Sequence, residues 1–234
     1  MKTKQISEHI WSLRTWMVIP IHVWVVVEED GVTLVDAGIS LMGKGILNFI
    51  ENLQAGPLKR IVLTHGHSDH VGAINTILKE NSVPVFAHSI EFPYMEGELA
   101  YPGRKKPAQS IEKNVAQPLN VDANDSLLPI GGLTPYLTPG HSPGHVVYYH
   151  TKDQVLLAGD LFTSKNGKLH RPIPMFTSNM GEAVKSSEIV RQVKPKRLEV
   201  CHGNPVINPA DHLDTYIRKT AEAYSIPEQN VFKG

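Results

Sequence analysis

The stretch THGHSDH, residues 64–70, places three histidines and an aspartate within seven residues. In an extended segment His65 and His67 point to the same side, and Asp69 and His70 follow where the chain turns toward a helical pattern. One strand end thus delivers four ligand-type groups. Imidazole and carboxylate without thiolate suit zinc, with iron or manganese as alternatives. Four such groups crowd a single ion, because a catalytic tetrahedral zinc keeps one position open for water or substrate. Two ions are therefore expected, and two ions need more ligands. His141 in TPGHSPGH, Asp160 in LLAGD and His202 in EVCHGNP are the candidates, each placed after a hydrophobic run and beside a glycine.

The elements that must position these groups are legible as alternating patterns. Runs at 21–27 and 32–35 flank EEDG, whose Asp-Gly is a strong hairpin signal. A helical spacing of apolar residues follows from Leu41 to Leu53, ended by Gly56-Pro57. A strand is expected at 59–65, then a helix from Ser68 with Val71, Ile74, Ile77 and Leu78 on one face and Ser68 or Asp69 as its cap. A further strand is expected at 83–89. Strand-like runs at 133–138, 145–150, 153–160 and 197–203, a helix over 180–193 and a last helix over 209–223, capped by Asn208 with Pro209 at its first position, complete the pattern. This alternation implies a layered α/β fold in one domain spanning residues 1–234. Residues 91–120 break the rhythm with several prolines and glycines and the basic cluster Arg104, Lys105 and Lys106. They form either an exposed loop or a segment that covers substrate.

Composition narrows the function classes. The 234 residues carry 23 Lys plus Arg against 23 Asp plus Glu. This balance does not suggest a nucleic-acid footprint or an anionic membrane surface. The most apolar run, 17–27, is broken by Pro20 and His22 and is shorter than the ~20 residues of a membrane span. A single cysteine, Cys201, allows no intrachain disulfide, and with no secretory-type leader the expected compartment is the cytoplasm. Cys201 precedes His202 on an expected strand, where neighbours face opposite ways, so it reads as a core residue. His9, His22, His88, His150, His170 and His212 sit in no ligand-like context. An internal echo, T-x-G-H-S followed shortly by H-V, starts at Thr64 and again at Thr138, which suggests two similar strand-to-loop turns converging on one place.

In this order, LVDAG with Asp36, H-x-H-x-D-H from His65 to His70, G-H-S-P-G-H at His141, G-D at Asp160 and C-H-G at His202 resemble the metallo-β-lactamase fold superfamily over nearly the whole chain. The resemblance implies a four-layer αββα sandwich with metals at one edge, between two half-sheets. It implies that His65, His67 and His141 hold one ion, that Asp69, His70 and His202 hold the other, and that Asp160 bridges both. Asp36 then orients a ligand histidine from behind, while His145 stands behind the ligands or is structural.

The chemistry so implied is hydrolysis. A water shared by two zinc ions loses its proton near neutral pH and attacks a carbonyl carbon, with Asp69 close enough to handle the proton. The ligand pattern is closest to glyoxalase II-like thioesterases and to lactonases, so the expected substrate is a small molecule with an ester, thioester or lactone bond. Typical glyoxalase II has a C-terminal helical domain, and only about one helix follows His202 here. The lactonases carry a tyrosine shortly after the bridging aspartate, where this chain has Phe162 and Thr163. Family β-lactamases have a cysteine where Asp160 stands, which disfavours antibiotic hydrolysis. A mononuclear iron sulfur dioxygenase and a phosphodiesterase or nuclease are the alternative activities on the same scaffold. Lys168, His170 and Arg171, or Tyr94, Arg104 and Lys105, are candidates to meet an anionic substrate.

Overall fold

The β-branched runs at the start of the chain pair with their sequence neighbours. In the computed structural model, which describes residues 1–227, β1 (Lys2–Gln5), β2 (Ile10–Trp16), β3 (Pro20–Glu28) and β4 (Gly31–Val35) form an antiparallel meander. The expected hairpin lies between β3 and β4, with Glu28 opposite Gly31. The chain then changes mode: β5 (Leu58–Val62), β6 (Val85–Ala87) and β7 (Ala116–Pro118) add in parallel, completing a seven-stranded sheet. Parallel neighbours need crossovers. These are α1 (Gly43–Leu53) between β4 and β5, and α2 (Ser68–Val71) with α3 (Ile74–Glu80) between β5 and β6. The short helix α4 (Phe92–Met95) lies in the irregular segment before β7.

A second, five-stranded sheet has the order β14-β13-β10-β9-β8, from β8 (Leu133–Leu137), β9 (Val146–His150), β10 (Val155–Leu157), β13 (Arg197–Glu199) and β14 (Val206–Ile207). The small hairpin β11 (Thr163–Lys165) and β12 (Lys168–His170) stands apart. Helices α5 (Met180–Ser186), α6 (Ile189–Val193) and α7 (Ala210–Tyr224) complete the chain's described part.

The two-residue period of the strands explains the layering. On β9 and β10, Val146, Tyr148, Val155 and Leu157 belong to the core shared with the first sheet, α1 and α3. The alternate residues Val147, Tyr149 and Leu156 belong to a second core with Val184 of α5, Ile189 of α6, and Leu213 and Ile217 of α7. The five-stranded sheet is thus apolar on both faces, one against the other sheet and one against helices. On the far side, Phe49 of α1 packs on Trp11 of β2 with ring centroids 5.4 Å apart. The result is the expected α/β sandwich.

Several boundaries differ from the sequence reading. The strand expected at 59–65 ends at Val62, and the helix expected from Ser68 is two short helices interrupted at Gly72-Ala73. Neither Ser68 nor Asp69 caps α2: its N-cap position is His67, without a side-chain bond, and the Asp69 carboxylate is turned to His202 instead. The helix over 180–193 is broken after Ser186; the buried Ser187 hydroxyl bonds back to the Val184 carbonyl at 2.5 Å, an alternative to the helical ladder. Asn208 has a left-handed backbone, φ 46°, and α7 starts after Pro209 with no side-chain cap.

Tyr148 ties the sheets across the interior. Its hydroxyl, fully buried on β9, donates to the Leu63 carbonyl just past β5 at 2.8 Å. Tyr148→Phe leaves that carbonyl without its donor, so urea unfolding of the chelator-treated protein is expected to show a loss of about 1–2 kcal/mol. Unchanged stability contradicts the tie.

Candidate metal centre

All the candidate site residues stand where strands end or begin along one edge of the sandwich. Asp36 follows β4, residues 64–70 follow β5, His141 follows β8, His145 precedes β9, Asp160 follows β10, and His202 follows β13. In open α/β sheets such strand ends are where ligands bind. The loops are joined directly: the Val146 N–H donates to the Thr64 carbonyl at 2.8 Å, linking the start of β9 to the first ligand loop.

Three imidazoles converge. His65 Nε2 lies 2.9 Å from His67 Nδ1, and His67 Nδ1 lies 3.0 Å from His141 Nε2. The sequence reading put His65 and His67 on one side of a strand. They do meet, but from a loop after the strand has ended. These separations are a few tenths of an ångström below the ~3.3 Å edge implied by a tetrahedral site with ~2.0–2.1 Å metal–nitrogen bonds. The three residues could hold one ion.

A second group lies beside them. Asp69 Oδ2 is 3.2 Å from His202 Nε2 and 3.9 Å from His70 Nε2. Asp160 reaches both groups, with Oδ2 3.4 Å from His141 Nε2 and 3.2 Å from His202 Nε2, and Oδ1 3.5 Å from His70 Nε2. His70 Nε2 and Asp160 Oδ1 are buried and have no hydrogen-bond partner. Orphaned buried acceptors are costly, and a cation between them satisfies both. The donor set of imidazole and carboxylate fits a divalent ion of the zinc type.

Three of the candidate ligands have their far nitrogens held from behind. Asp36, fully buried at φ 59°, accepts from the Thr64 N–H at 2.8 Å, from the Thr64 hydroxyl at 2.8 Å and from His70 Nδ1 at 2.7 Å. His202 Nδ1 donates to the Pro20 carbonyl at 2.9 Å, and His141 Nδ1 lies 3.3 Å from the Thr177 hydroxyl. His145 is not among the converging groups. Its Nε2 accepts from the Asp160 N–H at 3.2 Å and its Nδ1 lies 2.9 Å from the Thr138 hydroxyl, so it steadies the backbone of Asp160.

Electrostatics favour metal over bare histidines. Burial pushes His67 down to about 4 and His145 down to about 3, and holds His65 and His141 well below ordinary imidazole values, keeping these rings neutral with lone pairs free. At His202 burial also opposes charge, but the Asp160 carboxylate outweighs it and raises the group well above the usual range. Burial opposes charge on Asp160 too, and there His202 and His70 win and hold the carboxyl down. The second group therefore attracts positive charge strongly.

Some residues behave differently from their sequence reading. Cys201 is buried as expected. However, β13 ends at Glu199, so strand alternation does not turn the thiol away; its sulfur groups with ligand atoms of Asp69, His70 and His202, all within 4.8 Å of one another. His9 and His150 form a separate group with Asp153, in which His9 Nδ1 lies 2.7 Å from Asp153 Oδ1. This group ties the turn before β2 to the turn after β9. Residues 91–120 border the centre through Tyr101, whose ring meets that of His67 at 4.6 Å, and through Arg104, whose guanidinium lies 4.9 Å from the Phe176 ring. Arg171 instead lies over Tyr224 of α7. Glu91, Tyr101 and Thr177 carried no sequence signal. Thr64 had one, since the repeated T-x-G-H-S pairs it with Thr138.

The sequence profile of the metallo-beta-lactamase superfamily matches residues 16–202, a span that ends on His202. The chain is similar to the probable metallo-hydrolase YybB of Bacillus subtilis (strain 168), with 37% identity over 93% of this chain and 98% of that protein. It is also similar to the probable metallo-hydrolase YflN of the same organism, with 33% identity over 76% and 78%. A hydroxyacylglutathione hydrolase of Pseudomonas fluorescens (strain SBW25) matches at 30% identity over 57% of this chain and 45% of its own length. Among solved structures, a metallo-beta-lactamase from Pontibacter korlensis superposes with a TM-score of 0.70 at 21% identity, covering 94% of this chain and 98% of its own. With the profile spanning residues 16–202 and YybB covered nearly end to end, the chain belongs to the metallo-beta-lactamase superfamily.

Proposed function

We propose that this metallo-hydrolase holds two zinc ions and cleaves an ester, thioester or lactone bond of a small molecule. The observation that carries the two-ion reading is Asp160, whose carboxylate lies between His141 on one side and His70 and His202 on the other. In this reading His65, His67 and His141 would hold the first ion, Asp69, His70 and His202 would hold the second, and Asp160 would be shared by both. When bound, such a pair of ions supplies a water deprotonated near neutral pH and a Lewis acid for a carbonyl oxygen.

The chain's own residues do the rest. Asp69 is the more open of the two carboxylates, with 28% of its side chain exposed. Burial opposes its charge, but His70 and His202 overcome that and hold it down at about 2, so it stays a carboxylate. It is placed to accept a hydrogen bond from the attacking water and to pass the proton to the leaving group. Asp36 keeps His70 in the tautomer with its proton on Nδ1, leaving Nε2 free for metal.

The rim supports a small, partly apolar substrate. Trp16 pairs with Pro20, whose carbonyl touches His202, and Trp16, Met17 and Val18 at that hairpin tip are exposed. On the other side Met175 and Phe176 are exposed next to Thr177, which touches His141. Apolar groups on both sides suit an acyl chain, and Arg104 beside Phe176 suits a carboxylate.

His67→Ala is expected to lose the first ion and Asp160→Ala to weaken both, and each to abolish hydrolysis, measured by elemental analysis and by a screen of esters, thioesters, lactones and phosphodiesters. Near-normal turnover in either variant contradicts the assignment, and one iron per chain with oxygen consumption in the unmutated protein identifies a dioxygenase instead. Asp36→Asn keeps a residue that tolerates the left-handed backbone but presents an amide to Thr64 and His70. Its oxygen is claimed by the Thr64 N–H, so its NH2 faces His70 and favours the tautomer that cannot ligate through Nε2. Metal affinity is expected to fall about 10–100-fold in a chelator competition, and unchanged affinity contradicts the role given to Asp36.

A further inference from the structure

Glu91 lies in none of the ligand motifs. It sits in the irregular segment after β6, just before α4, and is fully buried. Its carboxylate accepts four hydrogen bonds. Oε2 takes the Gly66 N–H at 3.0 Å and the Tyr101 hydroxyl at 2.7 Å. Oε1 takes the Ser142 hydroxyl at 2.6 Å and the Gly144 N–H at 2.7 Å. Gly66 stands between His65 and His67, while Ser142 and Gly144 stand between His141 and His145. One oxygen therefore serves each of the two loops that bring the three converging imidazoles together.

The residue type matters. Each oxygen receives one backbone N–H, which can only donate, so a glutamine in this place would set its NH2 against one of them. With a hydroxyl added on each side, the four donors fit the ionised carboxylate. All four are neutral. A buried charge satisfied only by neutral donors is costly, and the cost is offset if positive charge is bound nearby. Both loops also come in at close range: a Cβ on Gly66 would run into Met95, and one on Gly144 would lie 3.0 Å from the Glu91 backbone nitrogen. The Ser110 hydroxyl donates to the Gly66 carbonyl at 2.6 Å, fixing the next peptide as well.

We propose that Glu91 is a positioning residue that sets the affinity of the three-histidine ion site, by fixing the separation of the two ligand loops and by adding one negative charge behind them. This rests on the reading that His65, His67 and His141 hold an ion. Glu91 touches neither ion nor substrate and acts through the loops.

The test places Glu91→Gln in two backgrounds: His202→Ala, which keeps the three-histidine site, and His141→Ala, which keeps the Asp69, His70 and His202 site. Zinc affinity is read by competition with a chromophoric chelator, and thermal unfolding of the chelator-treated proteins reports the purely structural effect. If His202→Ala alone binds no zinc, the ligand reading fails, whatever Glu91 does. If it binds zinc, Glu91→Gln is expected to weaken that ion about 10–100-fold while leaving the ion of the His141→Ala background near its unmutated affinity. Equal loss in both backgrounds, or no loss with His202→Ala, overturns the proposal. Should Glu91→Gln fail to fold, Ser142→Ala in the same two backgrounds removes one donor and keeps the charge. A several-fold loss confined to His202→Ala supports the proposal, and its absence overturns it.

Discussion

At the edge where the two sheets meet, imidazole nitrogens stand 2.9 and 3.0 Å apart with carboxylate oxygens 3.2 to 3.5 Å from their neighbours. Most of these groups are buried. Burial strips the histidines of charge, while the carboxylates restore it at the second group, so the arrangement favours cations bound among these groups. The far nitrogens of His70, His202 and His141 have partners behind them, provided by Asp36, Pro20 and Thr177 from three different elements. The loops must also be brought close without side chains in the way, which is what glycine at 66 and 144 permits.

The twofold echo in the sequence has a physical counterpart. The Thr64 hydroxyl lies 3.3 Å from His70 Nδ1, and the Thr138 hydroxyl lies 2.9 Å from His145 Nδ1. Each turn thus uses a threonine to catch a histidine further along. The two turns use that histidine differently, because His70 faces the other candidate ligand atoms whereas His145 holds the backbone of Asp160. Glu91 crosses between the two turns, so the halves are coupled by one carboxylate as well as by the Val146–Thr64 backbone bond.

Much of this was legible in the sequence, for stated reasons. Metal chemistry demands dense clusters of a few residue types, so His65, His67, Asp69 and His70 stood out by spacing alone, and strand ends pointed to His141, Asp160 and His202. The sandwich followed from alternating apolar runs, which Val146 to His150 realise by dividing their side chains between two cores. What stayed hidden depends on tertiary placement. Glu91 is an ordinary glutamate in an irregular segment until the fold sets it between two loops. The breaks at Ser187 and Gly72-Ala73 come from local choices that helical periodicity does not record. Cys201 lies in the main core as anticipated, although the strand expected to carry it ends two residues earlier.

The central claim is that one edge of the sandwich holds two ions with Asp160 between them. Anomalous diffraction at the zinc edge, from crystals grown with zinc, tests it most directly. The account predicts two peaks, one among His65, His67 and His141 and the other among Asp69, His70 and His202, with the Asp160 carboxylate touching both. A single peak confined to the three histidines, with Asp160 bound to nothing, would contradict it.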